Sequence, residues 1–274
     1  MSSHSDEVQR GERYKFGENW QRFLEVLDED RIAEAVSSLQ TMLGIRDLRG
    51  KRFLDAGSGS GIMSLAALRL GARVHSFDFD PQSVACALEL RARYGEGHDW
   101  QIAEGSVLDP DYLRSLGAFD VVYSWGVLHH TGKMWDALEH ITLPVAPGGQ
   151  LFIAIYNDQG TKSALWKQVK RVYCSGPAGR AAVSAVFVPA FALEGLAVDL
   201  AHGTSPLKRY RDSRRTRGMS VVRDWFDWLG GYPFEVARPE QIFELYRSKG
   251  YTLDRLVTGG MGCNQFVFTR GAAA

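Results

Sequence analysis

Three glycines at every second position constrain this chain more than any other feature. They lie in the stretch Leu54-Asp-Ala-Gly-Ser-Gly-Ser-Gly-Ile62, between an apolar run and a helical pattern. Glycine at a strand-to-helix turn lets the backbone approach a ligand, and the free N–H groups of the helix start point at the ligand's polar end. A dinucleotide site would need a glycine at position 62, where Ile62 stands, so the spacing disfavours NAD. The alternative is a turn with a purely structural role.

Short apolar runs alternate with helical patterns between Lys51 and Ile155. This order is expected of a parallel sheet covered on both faces by helices. The predicted strands are 52–56, 73–77, 100–103, 119–124 and 150–155, and the predicted helices are 62–70, 81–94 and 134–142. Residues 145–149, Val-Ala-Pro-Gly-Gly, are predicted as a turn into the fifth strand.

About 90 residues separate the fifth strand from the next apolar run at 251–257, whereas a crossover needs only about a dozen. We therefore expect an insertion. It contains a predicted helix at 163–173, an apolar segment at 181–201 broken by Pro189, Glu194 and Asp199, a basic run at 208–217, and an aromatic packed turn at 224–234. A helix at 239–249 and strands at 251–257 and 264–270 are predicted to close the chain.

One large domain with an insertion fits the 274 residues. Four segments are expected: N-terminal helices (1–50), a core of alternating strands and helices (51–156), a helical insertion (157–250), and C-terminal strands of the core (251–274). Apolar spacing predicts one or two helices at 17–43. The aromatic and amide groups of residues 14–20 predict a flap over bound cofactor, and the alternative is a helix start packed on the domain.

Composition excludes several classes of protein. Lys plus Arg and Asp plus Glu both total 32, so no global field exists to hold nucleic acid or an anionic membrane, and such binding would need a local patch. Cys86, Cys174 and Cys263 lack CxxC spacing, which argues against a disulfide framework and a zinc site, and no metal is expected. The polar N-terminus and the lack of 18 consecutive uncharged apolar residues predict a cytoplasmic protein without a membrane span.

Asp78 ends the second predicted strand about 20 residues beyond the first glycine. A carboxylate there can accept hydrogen bonds from both ribose hydroxyls of an adenosine. Its alternative role is to cap the helix opened by Asp80-Pro81. Glu104-Gly-Ser-Val107 follows the third strand and would lie beside the same crevice.

Four motifs in order resemble the class I S-adenosylmethionine-dependent methyltransferases: LDAGSGSG, VHSFDFDP, FDVVYSWGVLHH and APGGQLFIAI. The resemblance covers roughly residues 51–155, and its LHH turn is similar to the ubiquinone-type and natural-product small-molecule branch. It implies a seven-stranded, mostly parallel Rossmann-like sheet with the last strand antiparallel, and S-adenosyl-L-methionine as cofactor. It also implies methyl transfer by direct displacement to an oxygen or nitrogen of a small-molecule acceptor, of secondary-metabolite, quinone-like or sugar-like type.

The resemblance implies a function for each of the four segments: a helical flap (1–50), a Rossmann-like cofactor-binding core (51–156), an acceptor lid (157–250) and the C-terminal strands of the core (251–274). It also implies roles for particular residues. Those that would hold the methionine part are Asp55, Gly57, Ser58, Gly59 and Gly61. Asp78 would bind the ribose, Phe79 would cover the adenine, Ser106 and Val107 would line its edge, and Ser124 or Trp125 would contact the sulfonium side; Tyr14 of the flap is added as a cofactor contact. The family often has an acidic residue where Ser106 stands, which leaves adenine recognition open.

Three residues are candidates for catalysis. His129 and His130 follow the fourth strand, and a histidine can take a proton near neutral pH. Tyr156, after the fifth strand, could orient the acceptor. The alternative role of the histidines is to fix the turn through structural hydrogen bonds. The alternative role of Tyr156 is to cap the loop.

The acceptor is less constrained than the cofactor. No Asn-Pro-Pro-Tyr or Asp-Pro-Pro-Tyr sequence follows the fourth strand, so nucleic acid is not expected as substrate. The basic run at 208–217 is interpreted as a solvated helix face. The alternatives are a nucleic-acid or protein methyltransferase and a non-catalytic adenosyl-ligand binding module. The insertion is expected to select the acceptor, and its apolar segment to serve as a lid or homodimer contact, with a membrane-surface contact as the alternative.

Overall fold

The computed structural model describes residues 3–95, 99–205, 221–260 and 262–272. Structural statements below concern these described residues. The predicted basic run at 208–217 lies outside them.

Seven strands form one sheet in the order β3-β2-β1-β4-β5-β7-β6. They are β1 Arg52–Ala56, β2 Arg73–Asp78, β3 Trp100–Glu104, β4 Phe119–Trp125, β5 Val145–Tyr156, β6 Tyr251–Val257 and β7 Cys263–Arg270. The first five strands pair in parallel, while β7 runs antiparallel to both β5 and β6. The predicted fold class, with the last strand antiparallel, is confirmed.

Helices connect and flank these strands. They are α1 His4–Gln9, α2 Gly17–Leu24, α3 Glu29–Leu43, α4 Ile62–Arg69, α5 Pro81–Tyr94, α6 Pro110–Ser115, α7 Met134–His140, α8 Thr161–Cys174, α9 Pro177–Ala201, α10 Val221–Gly230 and α11 Pro239–Ser248, with a short 3-10 turn at Leu128–His130. Asp80 begins α5 as expected of a cap, because its side chain accepts a hydrogen bond from the N–H of Gln82 at 2.9 Å. Pro81 then occupies the first turn, where its missing N–H costs nothing.

Two expectations for local structure were wrong. Residues 145–149 belong to β5, because Val145 pairs with Phe119 and the Pro-Gly-Gly sequence is accommodated by an irregular register. The aromatic stretch from 224 is not a turn, because it lies in α10 as far as Gly230. The apolar segment 181–201, for which no secondary structure was predicted, lies in α9, which continues through Pro189 while its Val183 side packs in a hydrophobic cluster.

Alternation along the strands builds a core on each face of the sheet. In β1, Phe53 packs in the cluster formed with α3, α4 and α5, while Leu54 packs in the opposite cluster formed with α6, α7 and α11. Both side chains are fully buried. Burial on both faces fixes the register of β1, since a slip of one residue would exchange the two sets of contacts.

The chain divides into two compact units. One consists of the described residues of Gly17–Gly160 and Glu235–Ala274 and contains the whole sheet. The other consists of those of Met1–Phe16 and Thr161–Phe234, and its helices α8, α9 and α10 form a third cluster around Tyr173, Val183 and Leu229. The predicted four-segment division concerns function as well as structure and stays a prediction.

Candidate functional site

The glycine turn joins the ends of β1 and β2. The N–H groups of Gly57 and Ser58 both donate to the carbonyl of Phe77, at 2.8 and 3.1 Å. Gly57 has a φ of 82°, and a Cβ there would come within 2.5 Å of the Val127 side chain. Position 57 therefore needs glycine for its backbone conformation and for the space above it.

Gly59 lies under an aromatic ring. Its φ is 54°, and a Cβ at this position would come within 3.0 Å of the Trp20 indole. The helix that carries Trp20 is fixed to α5, since the N–H of Gly17 donates to Asp80 Oδ2 at 2.9 Å. Trp20 was not predicted as a site residue, although it lies in the stretch 14–20 that the sequence singled out.

Tyr14, the aromatic residue predicted from that stretch, belongs to the helical unit. Its hydroxyl hydrogen-bonds Asp227 Oδ1 at 3.2 Å, and its N–H donates to the carbonyl of Tyr232 at 2.9 Å. Its ring lies 6.5 Å from that of Tyr173. These contacts give Tyr14 a place in the packing of its own unit, and its role toward a cofactor stays a prediction.

Asp78 contacts the glycine turn directly. Its Oδ2 accepts a hydrogen bond from the N–H of Gly59 at 2.9 Å, and its Oδ1 accepts one from the N–H of Asp80, also at 2.9 Å. The cap of α5 is Asp80, so the alternative role of Asp78 as that cap is wrong. A carboxylate has about four acceptor sites, so these two bonds alone do not saturate Asp78.

Asp55 is buried behind the turn, with 1% of its surface exposed. The pKa of its carboxyl is raised to about 7, mainly by burial. The hydrogen bond from Ser64 lowers this pKa, while the nearby Asp78 carboxylate raises it further. Ser64 Oγ donates to Asp55 Oδ2 at 2.6 Å. The contact joins β1 to α4, so Asp55 holds the start of the helix beside the glycine turn.

Ser58 carries a buried polar atom that suits a ligand. Its Oγ has no hydrogen-bond partner in the described part of the chain. A buried polar atom without a hydrogen bond is unfavourable. Ser58 stands between Gly57 and Gly59, and Gly61 directly precedes α4. A hydroxyl and the N–H groups of a helix start are donors that fit the polar end of an anionic or zwitterionic ligand.

The predicted adenine edge follows β2 and β3. These strands pair so that Asp78 lies opposite Glu104, which brings Phe79 and Ser106 to neighbouring strand ends. Phe79 is half-buried. Ser106 Oγ accepts a hydrogen bond from the N–H of Leu108 at 3.2 Å, and Val107 is buried in the core below.

Ser124 and Trp125 end β4, next to β1. Ser124 is buried, and its Oγ donates to the carbonyl of Ala56 at 2.8 Å, which fixes the last residue before the glycine turn. Trp125 is 47% exposed, and its Nε1 donates to Gln265 Oε1 at 3.2 Å. The two neighbours therefore differ, one facing the backbone of β1 and the other largely facing solvent.

His129, His130 and Tyr156 form a compact group. The His129 ring centroid lies 4.1 Å from that of Tyr156 and 4.5 Å from that of His130. The N–H of Tyr156 donates to His129 Nδ1 at 3.4 Å, and the His129 carbonyl accepts from the N–H of Glu235. Burial raises the pKa of the Tyr156 hydroxyl, so this group stays protonated throughout the neutral range. Tyr156 is therefore suited to orient a partner by hydrogen bonding and not to act as an ionised base.

The described residues contain no group of three His, Cys, Asp or Glu side chains that could hold a metal ion.

Known proteins resemble part of this chain. A family model described as a methyltransferase domain matches residues 54–151. Ubiquinone biosynthesis O-methyltransferase of Paracidovorax citrulli is 31% identical over 159 residues, which are 57% of this chain and 66% of the relative. tRNA U34 carboxymethyltransferase of Methylococcus capsulatus is 33% identical over 40% of this chain and 33% of its own length. The chain thus spans from one third to just under two thirds of these relatives.

Two solved structures share the fold at low identity. Magnesium protoporphyrin IX methyltransferase from Synechocystis, with bound SAH, has a TM-score of 0.51 at 16% identity, covering 88% of this chain and 83% of its own. PKMT2 from Rickettsia typhi, in complex with AdoHcy, has a TM-score of 0.56 at 12% identity, covering 86% and 52%.

Proposed function

Because the chain belongs to the class I S-adenosylmethionine-dependent methyltransferases, we propose that it methylates an oxygen or nitrogen atom of a small-molecule acceptor. The observation that carries the proposal is the glycine turn, with the buried Ser58 hydroxyl on one side and the Asp78 carboxylate hydrogen-bonded to Gly59 on the other. These groups suit the amino-acid end and the ribose of the same ligand.

Each part of the cofactor has candidate partners. Ser58 and the backbone of Gly57, Gly59 and Gly61 would hold the methionine part, with Asp55 fixing the turn from behind. Asp78 would accept hydrogen bonds from the ribose hydroxyls. The remaining contacts would come from Phe79, Ser106, Val107, Ser124, Trp125 and Tyr14. We add Trp20 to them, because its indole lies against Gly59.

The chemistry needs few protein groups. When bound, S-adenosylmethionine supplies a methyl group already activated by its sulfonium. The chain's own residues would orient the acceptor and take its proton. The group around His129 suits this task, with Tyr156 as a neutral hydrogen-bonding partner and a histidine as proton acceptor. His129 Nδ1 accepts the Tyr156 N–H, which occupies the lone pair that would take a proton. We therefore assign the base to His130, whose ring packs against those of His129 and Tyr156.

A small-molecule acceptor is supported by the similarity to a ubiquinone biosynthesis O-methyltransferase. Quinone-like, sugar-like and other secondary metabolites remain in the proposed class. The insertion at 157–250 would select among them. The similarity to a tRNA U34 carboxymethyltransferase makes RNA the second candidate acceptor.

The test is to incubate the protein and labelled S-adenosylmethionine with a metabolite extract and, separately, with total RNA. We expect label in small molecules that gain the mass of one CH2 group, and none in RNA. Label in RNA or protein alone would contradict the proposed acceptor class. Failure to bind S-adenosylmethionine would contradict the proposal itself.

A second comparison tests the proton acceptor. His130→Asn should lower kcat by about 10²-fold or more and flatten its pH profile, because a general base contributes about that much. His129→Asn should mainly lower the melting temperature, because the imidazole accepts the Tyr156 N–H and packs against the Tyr156 and His130 rings. A normal kcat in folded His130→Asn protein would rule out His130 as the base.

A further inference from the structure

Helix α9 exposes an apolar stripe to solvent. Val186, Leu193 and Leu200 are each about two thirds exposed, at 65%, 65% and 66%, and Leu196 is 40% exposed. Their spacing of seven, three and four residues places them on the same side of the helix. Among the described helices, α9 is the one long and apolar enough to cross a membrane by length and composition.

The other side of α9 is already packed. Val183, Phe187 and Phe191 belong to the cluster of the helical unit, and Phe187 lies 5.3 Å from the Trp166 ring. The stripe is therefore additional to the residues that hold this unit together. Exposed apolar area of this extent is unfavourable in water and marks an interaction surface.

The part of the sequence that carries the stripe is rich in positive charge. The chain as a whole is neutral, yet residues 161–217 contain eleven Lys and Arg residues and three acidic ones, Glu194, Asp199 and Asp212. Six of the cations are in the run 208–217, outside the described residues. Of those described, four are exposed: Lys162, Lys167, Arg171 and Arg180. Asp199 is buried, so Glu194 is the exposed acid of α9.

Two occupants could cover an apolar stripe in a positively charged segment of the chain. A second copy of this chain would cover the leucines but would bring two positively charged segments together. An anionic lipid surface would cover the leucines and neutralise the cations. A spanning arrangement does not fit, because one side of α9 packs on protein and the helix contains Pro189, Glu194 and Asp199.

We propose that α9, with the exposed cations of α8, is a peripheral docking surface for membranes that contain anionic phospholipid. The leucine stripe inserts at the level of the headgroups, and the lysines and arginines contact lipid phosphates. Because the cations are exposed, their attraction is screened by salt.

The test is co-sedimentation of the full chain with vesicles of phosphatidylcholine alone or with phosphatidylglycerol. We expect binding to the mixed vesicles, weaker binding to phosphatidylcholine, and release by high salt.

Leu193→Gln/Leu200→Gln should weaken binding by about tenfold or more, since both side chains lose apolar contact. Lys167→Gln/Arg171→Gln should weaken binding to the mixed vesicles only. Leu143→Gln/Leu256→Gln is the matched control, with two exposed leucines outside the helical unit, and should bind normally.

Several outcomes would overturn the proposal. One is an absence of binding to the mixed vesicles, and another is equal loss in the control variant. A dimer that dissociates when Leu193 and Leu200 are changed, without vesicle binding, would assign the stripe to a second copy. Retention on vesicles after high salt and alkaline carbonate would indicate a spanning helix. Circular dichroism of each variant shows whether the fold is kept.

Discussion

The Oδ2 atom of Asp78 accepts a hydrogen bond from the N–H of Gly59 at 2.9 Å, which ties the carboxylate at the end of β2 to the glycine turn after β1. The two features that sequence reasoning assigned to opposite ends of one ligand are therefore in direct contact. A change at Asp78 should affect the turn as well as any bound ribose.

Asp78→Asn should weaken the binding of S-adenosylhomocysteine by about tenfold or more. The amide keeps the size of the carboxylate but replaces one acceptor with a donor, and each charge-assisted bond contributes about 1.5–3 kcal/mol. Calorimetric titration measures the effect. Asp109→Asn is the control, because Asp109 also accepts two backbone N–H groups, at the start of α6, and should leave affinity unchanged. Unchanged affinity in folded Asp78→Asn protein would mean that the ribose is held elsewhere.

Much of the sheet could be predicted because its strands are apolar runs bounded by turn residues. β1 and β6 match the predicted 52–56 and 251–257 to the residue. The start of β5 could not be predicted, since a strand containing Pro-Gly-Gly depends on an irregular register with β4. Helices α1 and α6 have six residues each, too few for a clear periodic pattern.

Some residues of the candidate site could be singled out for a related reason, although their roles toward a cofactor stay predictions. Glycines and acidic residues at strand ends form a local pattern, so Gly57, Gly59 and Asp78 could be identified from spacing. Trp20 has no such pattern. Which aromatic of residues 14–20 reaches the glycine turn depends on how α2 docks against α5, a tertiary contact made through Gly17 and Asp80.

Gly59→Ala should destabilise the protein, and part of the cost should disappear in a Trp20→Ala background. Alanine at a φ of 54° is strained by about 1–2 kcal/mol, and its Cβ would also press on the indole at 3.0 Å. Removing the indole relieves the second effect alone. Urea unfolding of the two single variants and the double variant measures the coupling between these positions. Costs that simply add would show that the indole does not lie against Gly59 in solution.

Asp55→Asn should become more stabilising relative to the natural protein as pH rises from about 5 to about 8. The folded carboxyl has a pKa raised by burial to about 7, from a usual value of 3.8. Between these values the folded state keeps a proton that the unfolded chain has lost, so the free energy of unfolding falls as pH rises, by up to about 1.4 kcal/mol per unit. Asparagine removes this dependence. Melting temperatures without ligand, measured across this range, test the sign.

Asp120→Asn is the control for that experiment, because the pKa of the Asp120 carboxyl is shifted in the opposite direction. Burial raises the pKa of Asp120, but hydrogen bonds from the Arg52 N–H and the Lys51 ammonium outweigh it, and the net pKa is lowered. Its contribution to stability is present above the usual carboxyl pKa and is lost as pH falls through the lower folded value. The cost of Asp120→Asn should therefore stay constant from about pH 5 to about pH 8. If the two variants change in parallel, Asp55 is not the group that titrates.

Lys170→Met should be most favourable to stability at neutral pH and lose that advantage toward about pH 10. Lys170 is 1% exposed, its ammonium hydrogen-bonds the carbonyl of Trp228, and its Nζ lies 4.1 Å from the centroid of the Trp228 ring. Burial lowers its pKa to about 7, against a smaller opposing effect of Cys174. Between about 7 and 10.5 the unfolded chain holds a proton that the folded state has lost, so the free energy of unfolding rises with pH in that window.

Lys167→Met, on the exposed side of the same helix, is the control and should show no such trend. Parallel curves for the natural protein and Lys170→Met would mean that the lysine keeps its charge, with the attraction to the Trp228 and Phe234 rings outweighing the cost of burial.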